Sequence, residues 1–342
     1  MHNRRNFIKR SGLAVAASTL PLSYMSCLKP EKKLGIALLG LGSYATNNLA
    51  PALQKTQHIE LRGIVTGSPE KIPIWKEKYG IKDSNIYNYD NFSSIIDNDE
   101  IDVVYIVTPT FLHKKFSILA AEAGKHVFCE KPMAMTVAEC QEIIDACSRN
   151  KVKLAIGYRM QHEPNTQTIV EWSKTLPYGP IQDVHTEAGF RIGADAGWRL
   201  DGSKGGGAIY DMGVYPINAM RYATGLEPLS VTARHETQRD KLFSNGAEEI
   251  THFDVEFPEV VPNREYYLEV PKGIIAKGRV TYADNVNFLK INSEKGNYEL
   301  SPFQSYNGVQ GSTSDGKKLE PCNCNQQTLQ MDDDALAILE NK

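Results

Sequence analysis

From residue 34 onward, short apolar runs alternate with amphipathic stretches in a steady beat. Leu34–Leu39 is an apolar run that ends at a glycine, which predicts a buried strand. Residues 43–54 follow as a helix whose last part Pro51 disturbs. Ile59–Val65 is the next strand, and Ser68-Pro69, a cap and first-turn pair, opens a helix over 69–79. Residues 101–107 form a third clear strand, and the helix 112–123 stops at Gly124. Residues 126–129 and 153–156 read as strands on either side of a helix over 136–149. Continuous apolar strands separated by helices predict a parallel sheet covered on both faces.

The beat changes near residue 180. Strand-like segments now follow one another at 182–190, 229–237, 249–257, 264–270, 274–282 and 286–292, with one helix at roughly 207–224 among them. Several alternate apolar with polar, as in Thr251-His252-Phe253-Asp254-Val255-Glu256-Phe257. Runs of strands predict a second, mostly antiparallel sheet. The expected class is therefore α/β: an N-terminal doubly wound Rossmann sheet and a C-terminal α+β domain with a large open sheet. The expected bounds are 1–30 for an N-terminal arm, 31–157 for the Rossmann domain and 158–342 for the second domain.

The N-terminal arm reads as an export signal. Arg4-Arg5-Asn6-Phe7-Ile8-Lys9 is a twin-arginine pattern, and the apolar stretch from Gly12 to Leu20 is too short to span a bilayer comfortably. The expected location is the periplasm; a disordered basic tail is the alternative. Cys27 is either a lipidated residue or a free or trimmed-off cysteine. No later stretch predicts an integral membrane span. A net charge of −3 gives no nucleic-acid footprint, and 41% hydrophobic residues over 342 suffice for an ordinary core. Six cysteines lack paired C-x-x-C spacing, so no metal site is expected. Cys140 and Cys147, seven apart on a helix, read as small buried residues; Cys322-Asn-Cys324 reads as a loop with two thiols, with a metal or another pairing as the alternative.

Four places carry candidate chemistry. Gly40-x-Gly42-x-x-Ala45 follows the first strand and opens a helix. Glycines there let the backbone turn and approach a pyrophosphate at the helix N-terminus, so Gly40, Gly42, Ser43, Tyr44 and Ala45 are expected at a dinucleotide. The second strand ends Val65-Thr66-Gly67-Ser68-Pro69-Glu70-Lys71, with no acid at its tip for a ribose hydroxyl. Thr66, Gly67, Ser68 and Lys71 suit a 2′-phosphate instead, which points to NADP, with NAD as the alternative. On the blander reading Ser68 only caps the next helix and Lys71 is a solvated charge. Glu130-Lys131-Pro132 ends the fifth strand, where ligands bind in such sheets, so Lys131 could polarise a substrate oxygen or simply form a helix-start ion pair. Asp211 and Tyr215 lie four apart on one helical face, either as a proton-transfer pair or as a cap and a core residue.

Taken in order, Gly40-x-Gly42-x-x-Ala45, Thr108-Pro109-x-x-x-His113, Glu130-Lys131-Pro132, Gly157-Tyr158-Arg159, Trp198-Arg199 and Asp211-x-x-x-Tyr215 resemble the glucose–fructose oxidoreductase and inositol dehydrogenase family over roughly residues 34–342. Within it the resemblance is strongest to the glucose–fructose oxidoreductase branch, whose export by a twin-arginine signal also matches. The resemblance implies NADP-dependent hydride transfer to or from a sugar or polyol, with the cofactor tightly held. It implies that Lys131 positions the sugar oxygen, that Tyr215 passes the proton, and that Asp211 holds sugar and network together. Thr108, Pro109, His113, Glu130, Arg159, Trp198 and Arg199 would touch the cofactor, and Tyr158, Asp211 and Tyr215 the substrate. It implies a homo-oligomer, dimer or tetramer, through the C-terminal sheet. Two departures stand out. The chain ends at Lys342 inside a helical pattern, so the helical stretch that packs back on the Rossmann domain in relatives is expected to be shortened. The loop Arg191–Gly197 carries no sugar signature. The rival expectations are a nicotinamide-dependent glycosidase and a non-catalytic sugar- or cofactor-binding protein.

Overall fold

In the computed structural model, residues 33–258 and 273–341 are described. The twin-arginine pattern, Cys27 and the predicted strand 264–270 lie outside these residues. Six strands form the first sheet: β1 (Leu34–Leu39), β2 (Ile59–Val65), β3 (Ile86–Tyr87), β4 (Val103–Ile106), β5 (His126–Glu130) and β6 (Leu154–Gly157). Their order is β3-β2-β1-β4-β5-β6, and every pair is parallel. The order reverses between β1 and β4, which opens a crevice at their C-terminal ends. β1 shows why the sheet is buried on both sides. Ala37 and Leu39 enter one core cluster, while Ile36 and Leu38 enter the other.

A π-turn, Ala45–Leu49, runs into α1 (Ala50–Leu53). Pro51 has no N–H to continue the ladder, and Ala50 bonds back five residues to Ala45. α2 (Ile72–Tyr79) follows β2, α3 (His113–Glu122) follows β4, and α4 (Val137–Arg149) follows β5. The side chain of Thr136 caps α4 by accepting from the N–H of Glu139.

The second domain begins with α5 (Pro164–Thr175), which the hydrophobic pattern did not reveal; the Glu163 carboxylate caps it. Its eight strands are β7 (Ile181–Gly189), β8 (Ser230–Glu236), β9 (Ile250–Phe257), β10 (Ile274–Thr281), β11 (Val286–Ser293), β12 (Gly296–Leu300), β13 (Gly311–Thr313) and β14 (Lys318–Leu319). They order as β14-β13-β12-β11-β7-β10-β9-β8, with β7–β10 parallel and the other pairs antiparallel. The predicted single helix at 207–224 is two, α6 (Ala208–Met212) and α7 (Val214–Thr224), joined at Gly213.

The end of the described chain docks on the first sheet. The helix that packs back on the Rossmann domain is present as α8 (Gln326–Leu339). Met331 and Ala335 complete the core cluster under β1 and β4. Asp332 accepts from the backbone N–H groups of Gln57 (2.8 Å) and His58 (2.9 Å), and Thr328 donates to the Ala52 carbonyl. The sequence pattern showed a helix there but not its docking face.

Candidate active site

A cleft of about 660 Å³ opens over the C-terminal ends of β1, β4, β5 and β6 and runs to α6 and α7. Gly40 makes the first turn possible. Its φ is +99°, and an added Cβ would stand 2.9 Å from the Val107 carbonyl oxygen. Gly42 does something different. It lines the cleft, and an added Cβ there meets no protein atom, so it would project into the open space of the cleft. Ser43 and Tyr44 line the same wall, while Gly40 and Ala45 lie behind it. This arrangement fits a dinucleotide pyrophosphate laid across the turn.

The tip of β2 carries no acid. Thr66 Oγ1 accepts from the Ser68 N–H (3.0 Å), and Ser68 makes no side-chain cap. Lys71 reaches back to the Leu41 carbonyl (2.8 Å), which sets a positive charge beside the glycine turn. Gly67 packs on the Tyr89 ring. These four residues flank the glycine turn rather than line the cleft.

The opposite wall holds the charged centre. β5 ends at Glu130, and the Lys131–Pro132 peptide bond is cis. Lys131 Nζ donates to the Asp211 carbonyl (2.7 Å), faces Asp211 Oδ1 (3.4 Å), and lies 4.8 Å from the centre of the Tyr215 ring. Asp211 Oδ2 accepts from Arg199 Nε (2.8 Å) and from the Tyr282 hydroxyl (2.8 Å). Burial works against the Asp211 carboxylate, but the charges of Lys131 and Arg199 outweigh it and hold its pKa at about 2. Burial also disfavours the Lys131 ammonium, and the anionic groups around it still raise its pKa above the ordinary lysine value.

Glu130 behaves oppositely. Burial dominates and pushes its pKa up to about 7, although the Tyr105 hydroxyl donates to it (2.7 Å) and Lys131 lies beside it. His113 is a buried clamp. Its ring nitrogens face the Pro132 carbonyl (2.9 Å) and the Thr108 carbonyl (2.8 Å), tying the β4 and β5 ends together. Desolvation lowers its pKa. Thr108, Pro109, Trp198 and Arg199 line the cleft as well, and Arg199 lies over the Trp198 ring at 4.7 Å.

The pair after β6 divides. Arg159 enters the cleft, stacked over Tyr306 (4.5 Å) and Tyr215 (5.4 Å), and donates to the Ser305 carbonyl (2.8 Å) and to Gln326. Tyr158, expected at the substrate, does not line the cleft. It packs behind Tyr215 at 5.9 Å and against Tyr222, inside the second core. Both residues lie beyond β6, Tyr158 at the cap and Arg159 at the start of a 3-10 turn, and that turn sends their side chains to different sides. Phe190, Gln304, Ser305 and Tyr306 line the cleft without having been singled out in the sequence. They come from strand ends and loops of the second sheet, where no period marks them. The loop Arg191–Gly197 is pinned by Arg191 to Asn285 and Ala283. Cys322 and Cys324, expected as a loop with two thiols, are instead paired with each other. Among the described residues no group of His, Cys, Asp and Glu forms a metal-binding cluster, and no helix is long and apolar enough to cross a membrane.

A parallel sheet with a glycine turn and a lysine at its crevice, joined to a second domain whose helices bring an acid and a phenol there, defines a nicotinamide-dinucleotide oxidoreductase architecture. The family models agree: residues 34–158 match the GFO/IDH/MocA oxidoreductase family, NAD-binding Rossmann fold, and residues 167–297 match its C-terminal domain. The chain belongs to this family. An aldose–aldose oxidoreductase from Caulobacter crescentus, solved with glycerol, is 37% identical with a TM-score of 0.83, covering 91% of each chain. A D-xylose 1-dehydrogenase [NADP(+)] from Haloarcula marismortui is 30% identical over 67% of this chain and 64% of its own length. Matches to this and the next two curated relatives span 58–64% of those proteins. A 3-ketoreductase from Actinomadura kijaniata, solved with NADP and TDP-benzene, shares the fold at 19% identity and a TM-score of 0.71 over 91% of each chain.

Proposed function

We propose that this protein transfers hydride between NADP and a CH–OH carbon of a free sugar or polyol, with Tyr215 as the proton-transfer residue. The carrying observation is the placement of Lys131 Nζ between Asp211 and the Tyr215 ring in a cleft continuous with the glycine turn. Gly42, Ser43 and Tyr44 would hold the pyrophosphate, and Glu130, Lys131, Arg159, Trp198 and Arg199 would surround the nicotinamide end. The nicotinamide supplies the hydride acceptor or donor when bound. Entering oxidation as its phenolate, Tyr215 takes the hydroxyl proton from the carbinol as its carbon is oxidised, and as the phenol returns it in the reverse direction. The cations of Lys131 and Arg159 offset negative charge that develops on the two oxygens. Phe190, Trp198 and Tyr306 offer flat walls to the apolar faces of a sugar ring.

The preference for NADP is supported by the acid-free β2 tip and by Lys71 on the Leu41 carbonyl, as well as by the names of the relatives that use NADP. The aldose–aldose relative supports a cycle in which a second aldose takes the hydride back while the nucleotide stays bound. The twin-arginine pattern supports export to the periplasm, where nucleotide exchange is impractical. Assembly as a dimer or tetramer through the outer face of the second sheet is part of the same proposal. The test is to denature the purified protein and identify the nucleotide released. NADP or NADPH is the expected product; NAD would overturn the reading of Ser68 and Lys71, and no nucleotide would overturn tight retention.

A further inference from the structure

Tyr282 follows the last residue of β10, and its side chain is fully buried. Its backbone is fixed on both sides. The N–H donates to the Glu249 carbonyl (2.8 Å), and the carbonyl accepts from the Ile192 N–H (2.9 Å) and from Arg239 Nη2 (2.6 Å). Arg239 is itself held by the buried Glu249 carboxylate. The Tyr282 ring lies between Phe190, at 5.3 Å and 64°, and Phe243, at 6.4 Å and 24°. With backbone and ring both pinned, the hydroxyl has one direction, and it ends on Asp211 Oδ2 at 2.8 Å.

We propose that Tyr282 is a positioning residue for the proton-transfer centre: its hydroxyl fixes Oδ2 of Asp211 and thereby turns Oδ1 toward Lys131. This rests on the reading of Lys131 and Tyr215 given above. A carboxylate turns about its last bond unless its donors fix it. Arg199 shares Oδ2, but its side chain is 37% exposed and lacks the packing that fixes a buried donor. Tyr282 has no such freedom. Burial, and then the adjacent Asp211 charge, push the Tyr282 phenol far above the ordinary tyrosine range, so it stays protonated and only donates. No substrate proton passes through it. Its effect reaches Lys131 through Asp211, as a preorganising support for the groups that act.

The test is Tyr282→Phe in the full-length protein with its bound nucleotide, because phenylalanine keeps the ring between Phe190 and Phe243. Nucleotide content and thermal stability are expected to hold, and KM for the reducing sugar to stay within about twofold. kcat is expected to fall about tenfold, the scale of one charge-assisted hydrogen bond. The carboxyl titration of Asp211, followed by NMR with carbon-13-labelled aspartate and assigned by its loss in Asp211→Asn, is expected to move to higher pH. A titration that does not move overturns the proposal, whatever the turnover. A risen KM with unchanged kcat also overturns it, since that is the mark of a purely structural role. Tyr215→Phe is measured in parallel. Wild-type turnover in that variant defeats the proton-transfer reading, while the Asp211 titration still decides what Tyr282 does.

Discussion

At the scale of single residues, Gly42 separates binding from folding. The space a Cβ would enter belongs to the cleft and not to the protein core. Gly42→Val is therefore expected to keep the melting temperature of the nucleotide-free wild type and to weaken nucleotide binding by at least about tenfold, as read by nucleotide content after gel filtration and by titration with NADP. A variant that unfolds would mean that the turn, rather than the ligand, needs the glycine. Lys131, Asp211, Tyr215 and Arg159 stand in one cleft, although Lys131 and Tyr215 lie 84 positions apart in sequence. The sequence made Lys131 visible because it follows a strand tip, and Asp211 with Tyr215 because they share a helical face. Tyr282 and Tyr306 carried no such signal. One ends a strand whose alternation says only that it is half buried, and the other sits in a loop after β12.

At the scale of elements, α8 ties the end of the described chain to the cofactor half. Gln330 donates to the Tyr105 hydroxyl, which donates to Glu130, so the helix reaches the active site through two hydrogen bonds. One turn on, Asp334 is a carboxylate whose burial, reinforced by the charge of Asp333, pushes its pKa up to about 7; the Gln330 amide opposes this. An ordinary unfolded aspartate titrates near ~3.9. The folded protein therefore binds a proton here that the unfolded chain releases, and this stabilisation is complete below about pH 4 and lost as pH rises through about 7. Asp334→Asn keeps a neutral group at every pH. It is expected to raise the melting temperature by about 3 °C at pH 8 and to change it little at pH 4. An equal shift at both values would show that charge is not the cause. Short elements were the ones the pattern missed. β3 and β14 have two residues each and β13 three, too few for any period to emerge. α5 went unseen because its buried face is built from Asn165, Thr166 and Ile169, which do not read as an apolar stripe.

At the scale of the whole molecule, the division into two kinds of sheet was plain from hydrophobic pattern alone. Strands buried on both faces read as unbroken apolar runs in the first half, and strands with one covered face alternate in the second. The site was half legible for a related reason. The first sheet contributes residues at strand tips, where the topology rule says to look. The second contributes residues brought close only by the packing of its sheet over the crevice. That packing forms one cleft that runs from the glycine turn to Tyr215, as the proposed reaction requires of its nucleotide and sugar. The most direct measurement is the absorbance of the protein-bound nucleotide after mixing with aldoses such as D-xylose and D-glucose, in wild type and in Tyr215→Phe. Oxidised nucleotide is expected to be reduced within one turnover by at least one aldose, and about a thousandfold more slowly in Tyr215→Phe. Reduction at equal rates in both proteins, or by no aldose or polyol at all, would contradict sugar oxidation at Tyr215.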